Sequence, residues 1–150
     1  MSTLRWSAGV VLAVLATATP VLAQQPYAAG RIKVVSGSAF IVRQSATIPA
    51  QLGQIVFETD SLKTGVDGRI GVTLKDDTRV SLGPSSEVRL QRFVYEPGTG
   101  GLGMVLQFVR GVAAYVSGRM AKLAPQSIRL ETPAAIVGVR GTSLAIRVQQ

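Results

Sequence analysis

The 150-residue chain contains neither histidine nor cysteine, and that double absence removes most site chemistry at once. Serine or cysteine nucleophiles activated by imidazole are excluded, as are zinc held by His or Cys, haem on those ligands, iron–sulfur clusters and disulfides. Carboxylates and lysines remain available for acid–base work, and oxygen ligands remain for Mg or Ca. The acids are poorly arranged for either task. Asp76 and Asp77 are adjacent in a turn, project apart, and lack a flanking apolar pocket to raise one of their pKa values. A glycan hydrolase needs two acids about 5–9.5 Å apart, which Glu58, Asp60, Asp76 and Asp77 supply only if the turns gather them. Asp60 with Thr64-Gly65 offers too few oxygens for Ca and fits an Asx-type turn, giving Asp60 and Gly65 structural roles. The sequence therefore predicts no catalytic residue, no metal and no cofactor: a non-enzyme.

The basic residues carry the remaining candidates. Lys and Arg number 16 against 8 acids, a net charge of +8, and Arg outnumbers Lys 12 to 4. Arg suits bidentate recognition of carboxylate or phosphate. Arg69, Arg79 and Arg89 recur at a spacing of ten, each in the polar phase of an alternating segment. Neighbouring strands would place them on one solvent face that binds an anion; alternatively they form a solvated face balanced by Glu87, Asp76 and Asp77. In Arg140-Gly141-Thr142, the Gly permits close backbone approach, so Arg140 and Thr142 are candidates for holding an anionic group. The structural alternative makes Gly141 a bend and ties Arg140 to carbonyls or to Glu131. The expected partner is a protein or an anionic envelope polymer, and assembly into homo-oligomers through strand edges is the alternative. Nucleic acid is not expected, because the cations are dispersed and aromatics are only 5% of the chain. Gly98-Thr99-Gly100-Gly101-Leu102-Gly103 lacks the Lys-Ser/Thr of a phosphate-binding loop and reads as a hairpin connector.

Strands must position these residues. Ile70, Val72 and Leu74 alternate with polar or small neighbours, as do Val80 with Leu82 and Val88 with Leu90. Asp76-Asp77-Thr78 and Gly83-Pro84-Ser85-Ser86 separate these runs with turn-forming residues. Similar segments cover 31–35, 39–43, 55–57, 104–109, 112–116, 128–131 and 143–148. The spacing predicts an all-β single domain of short strands, a β-helix-like roll or sandwich, with no helix longer than a turn. Residues 113–124 are the best helical candidate, weakened by Gly118 and Pro125. Gly37, Gly111 and Gly141 each precede an apolar segment, marking either three bends or a repeated coil.

The amino terminus reads as a leader. Arg5, the apolar run from Trp6 to about Ala18, Pro20 and Val21-Leu22-Ala23 have the order of a secretory signal peptide cut between Ala23 and Gln24. Cleavage removes one cation and leaves 15 against 8, or +7. An uncleaved anchor is the alternative; nothing after Ala23 is long enough to span a membrane. The expected organisation is 1–23 signal peptide, 24–29 short leader and 30–148 β domain, in the periplasm or secreted.

Gly30-Arg31-Ile32-Lys33-Val34 with Gly37-Ser38-Ala39 resembles the opening of the FecR domain, as does Thr59-Asp60-Ser61-Leu62-Lys63-Thr64-Gly65. Leu74-Lys75-Asp76-Asp77-Thr78-Arg79-Val80-Ser81-Leu82-Gly83-Pro84-Ser85-Ser86 and Thr132-Pro133 with Val139-Arg140-Gly141-Thr142 complete the resemblance over residues 30–148. Asp77 stands where the family usually has Gly, which implies an altered turn. The family's best-known members carry a cytoplasmic anti-sigma segment and a membrane helix, where this sequence has the leader. The resemblance implies an extracytoplasmic all-β sensing or interaction domain and does not extend to transcriptional regulation.

Overall fold

The computed structural model describes residues 18–23, 25–141 and 143–149. The leader residues 1–17 and Gln24, on one side of the expected cleavage point, lie outside them; residues 18–23 are exposed and without regular structure. The described residues form twelve strands: β1 (Ala28–Ser36), β2 (Ala39–Arg43), β3 (Ala46–Pro49), β4 (Ile55–Phe57), β5 (Ser61–Thr64), β6 (Arg69–Leu74), β7 (Arg79–Leu82), β8 (Glu87–Glu96), β9 (Gly101–Val116), β10 (Ile128–Glu131), β11 (Ile136–Gly138) and β12 (Ser143–Val148). One short helix, α1 (Arg119–Leu123), follows β9.

The strands make one curled sheet in the order β3-β2-β5-β8-β9-β7-β6-β1-β4. The 16-residue β9 joins its two halves. One edge of β9 pairs with β8 and then β7, both antiparallel; the other pairs with β10, in parallel, and then with antiparallel β12. Gly111 sits where β9 passes between these sets of partners. Its φ of +84° is left-handed, and a Cβ there would collide with Ser86. The Ser86 hydroxyl bridges the bend, accepting from Val112 N–H at 2.8 Å and lying 3.0 Å from the Val112 carbonyl. Bending brings Ile70, Val72, Leu74, Val80, Leu82, Val88, Leu90, Met104, Leu106, Phe108 and Tyr115 into one core. The period-two pattern of the sequence is the imprint of this one-sided burial.

The expected all-β single domain formed, and as a roll: every ladder but β9–β10 is antiparallel, whereas stacked β-helix coils would need parallel ones. The segments expected at 104–109 and 112–116 are one strand, because β9 bends without breaking. Residues 113–124 divide into the end of β9 and α1, whose five residues slightly exceed the single turn expected. Strands β3, β5 and β11 were not expected: β3 (ATIP) and β5 (SLKT) each hold one large apolar residue and β11 (IVG) two adjacent ones, so none shows an alternation.

Candidate functional site

Three acids are buried, and each holds the fold. Asp60 follows a turn whose Thr59 has φ +73°. Its carboxylate accepts from the Phe57 N–H at 2.9 Å and from Arg43 Nε at 2.9 Å and Nη2 at 2.7 Å. Hydrogen bonding to Asp60 pushes the Arg43 pKa up, while burial acts in the opposite sense. The same guanidinium donates to the Ile55 carbonyl and lies 4.5 Å from the Phe57 ring centroid. Asp76 accepts from the Thr78 hydroxyl at 2.7 Å, the Thr78 N–H at 3.1 Å and the Met120 N–H at 3.3 Å, so the β6–β7 turn is latched to α1. Tyr115 is buried close by; burial is the chief cause raising its pKa, with Ser117 and Thr78 opposing and Asp76 adding to the rise. Glu87 sits among Lys63, Arg89 and Arg110 at 3.5–3.8 Å.

Asp77 differs sharply from its neighbour: it is exposed, paired with Arg119 at 2.9 Å, and has φ +67°. The left-handed backbone explains why Gly is usual here, and Asp is among the residues that tolerate it.

The arginine trio divides. Arg89 lies on β8 beside Glu87 and within 3.3 Å of Ser61. Arg69 and Arg79 share the outward face of β1–β6–β7–β9–β12, where cross-strand partners fall into three rows. The central row is Val34, Gly71, Ser81, Ala114, Ala145. On one side run Arg31, Thr73, Arg79, Val116, Ser143. On the other stand Ser36 with Arg69, then Gly83, whose N–H bonds the Val112 carbonyl, then Val112 with Arg147. Arg31 donates to the Gly53 carbonyl. Among the described residues, the ion pairs engage Arg43, Lys63, Arg89, Arg110, Arg119 and Arg129, and none engages Arg31, Arg69, Arg79 or Arg147. The rows contain no acid. A groove of about 360 Å³ runs between the central row and the Arg69–Gly83–Val112 row, with Val34 54% and Val112 40% exposed.

Arg140 is exposed after β11, next to Gly141 at φ +63°. Glu131 pairs with Arg129 at 3.6 Å and not, among the described residues, with Arg140. Thr142 lies outside the described residues. Gly65 closes the β5 end, where its N–H bonds the Ser38 carbonyl at 2.8 Å.

The family model of the FecR protein matches residues 60–150. The chain belongs to the FecR family. Comparison with curated proteins and with solved structures gives no match. The FecR match begins at the buried Asp60, so the Gly30–Ala39 block lies before it, together with the β1 end of each row. Within the match, the blocks at 59–65 and 74–86 act structurally. Asp76-Asp77-Thr78 is the latch to α1, and Thr64 donates to the Gly83 carbonyl at 2.6 Å and accepts from the Ser86 N–H at 2.9 Å. The sequence reading missed Arg31, Val34, Val112 and Arg147 as members of the face. Arg147 occupies the polar phase of its segment, but only strand order puts it beside Val112 and opposite Arg79's row.

Proposed function

We propose that this FecR-family chain is an exported, non-catalytic binding or signalling module that docks an anionic partner, a protein or an envelope polymer, on the outer face of β1–β6–β7–β9–β12. The observation that carries the reading is the pairing of two arginine-bearing rows with no carboxylate between them. Among the described residues six cations stand in ion pairs and the four guanidinium groups of these two rows in none; Lys33, Lys75, Arg92, Lys122 and Arg140 also lack one, but they stand outside the rows. Cations left in this way attract and orient a partner more than they stabilise the fold. Export rests on the leader pattern of the first 23 residues. No helix of the described residues is long and apolar enough to cross a membrane.

Binding of polyglutamate at moderate salt tests the reading. Changing Arg69, Arg79 and Arg147 together to Ser abolishes it, whereas Arg89→Ser has little effect because Arg89 already faces Glu87. Undiminished binding by the triple variant removes the face from consideration. Intact mass of the envelope protein tests export: loss of residues 1–23 is expected, and their retention makes the segment an anchor.

Self-association is a second reading, favoured by one feature. Among the described residues β12 pairs with β9 alone, and Leu144, Ile146 and Val148 on its inner side are only half-buried. Sedimentation at low concentration distinguishes an ordered oligomer from a monomer.

A further inference from the structure

The middle row of the docking face narrows the class of partner. Gly71, Ala114 and Ala145 present almost nothing above the backbone and Ser81 contributes one hydroxyl, while Val34 stands against Gly71 at the β1 end of the row and Val112 raises an apolar rim on the Arg69 side. No aromatic side chain stands in any of the three rows, so sugar rings have no platform to stack on. A polyanion of uniform polarity would satisfy the arginines and leave the exposed valines against its charged surface. A complementary occupant is instead apolar along its middle and acidic along both margins.

Dimensions specify the shape. Neighbouring strands lie about 4.8 Å apart, so five strands give a row about 19 Å long. Two residues of strand advance about 6.7 Å, which sets the outer rows about 13 Å apart. An α-helix is about 10–12 Å across with its side chains and rises about 1.5 Å per residue, so about 13 residues fill the trough between the arginines. We infer that the partner presents an acidic amphipathic helix, laid across the five strands with its apolar stripe on Ala114 and Ala145 and its carboxylates reaching Arg31 and Arg79 on one margin and Arg69 and Arg147 on the other. This inference rests on the docking reading above and adds the partner's class.

Two 21-residue peptides of identical composition test it by titration calorimetry on the full-length protein. Both are built from Leu, Glu, Gln and Ala, which favour helix. One places Leu at the a and d positions and Glu at e and g; the other distributes the same residues evenly round the helix. The amphipathic peptide is expected to bind at least tenfold more tightly. Ala114→Arg, which adds a cation but fills the trough, is expected to weaken that peptide at least tenfold; Ala145→Arg on β12 repeats the test without altering β9. Equal affinity for the two peptides, or tighter binding by Ala114→Arg, overturns the inference. Polyglutamate binding that still depends on Arg69, Arg79 and Arg147 then leaves anionic docking standing. Failure of both peptides and of polyglutamate overturns both.

Discussion

Replacing Arg43 by methionine isolates the ion pair at the start of the family-matched segment. The Asp60 side chain is 1% exposed and the Arg43 side chain 26%, so the carboxylate is dry while its cation reaches solvent. Removing one partner of a buried pair costs about 3–5 kcal/mol, because a charge is left uncompensated. Partial exposure of the guanidinium lets water into the gap, and the Phe57 N–H bond to Asp60 survives, which together place the effect at the low end. Loss of the contact over Phe57 adds roughly 0.5 kcal/mol and loss of the Ile55 carbonyl bond roughly 0.5–1, while methionine keeps the aliphatic packing. A net loss of about 4 kcal/mol follows, or a Tm lower by about 8–16 °C for a chain of this size. Urea denaturation followed by circular dichroism measures it, with Arg43→Met/Asp60→Asn as the second arm. Asparagine still accepts from Phe57 but carries no charge, so the double variant should be more stable than Arg43→Met alone. A single-variant loss under about 1 kcal/mol, or a double variant no better than the single, refutes the argument from uncompensated charge.

Asp76→Ala leaves the Thr78 and Met120 donors unpaired in a buried site and should cost about 2–4 kcal/mol in the same assay, with Asp76→Asn milder; a loss below about 0.5 would disprove the latch. Gly111→Ala combines left-handed strain with a collision at Ser86 and should destabilise by at least about 2 kcal/mol, whereas Gly98→Ala, with open space around it, should be close to neutral. The Ser38 hydroxyl first, and then the Ser38 N–H, hold the exposed Asp67 below the ordinary carboxylate pKa of 3.8. A folded pKa below the unfolded one contributes stability above the ordinary value and loses it as pH falls through the folded value. Asp67→Asn should therefore flatten the acid limb of the stability profile below about pH 4; an unchanged slope would mean that Ser38 does not favour the charged form.

How far the sequence could be read varied with the range of the interaction. Alternation in β6, β7 and β8 is local, written into residues two apart, and it survives any arrangement of the strands. The FecR resemblance was legible for a related reason, since its blocks encode turns such as Asp76-Asp77-Thr78 that use neighbouring residues. The destination of Asp60 was not legible, because its cation comes from β2, 17 residues earlier. Equal spacing of Arg69, Arg79 and Arg89 proved a poor guide to a shared face, since β7 leads into β8 across the bend: β7 pairs with the second part of β9 and β8 with the first.

By itself the sequence determined that imidazole and thiol chemistry are excluded, that the body is built of one-sided strands, and where β6, β7 and β8 are separated by turns. Composition and two-residue periodicity carry that information without reference to distant parts of the chain. Tertiary structure alone decided which arginines face one another, which acids are buried beside a cation, and that Val34, Gly71, Ser81, Ala114 and Ala145 form one row. These depend on strand order and register, set by how β9 bends to close the core, a property of many residues acting together.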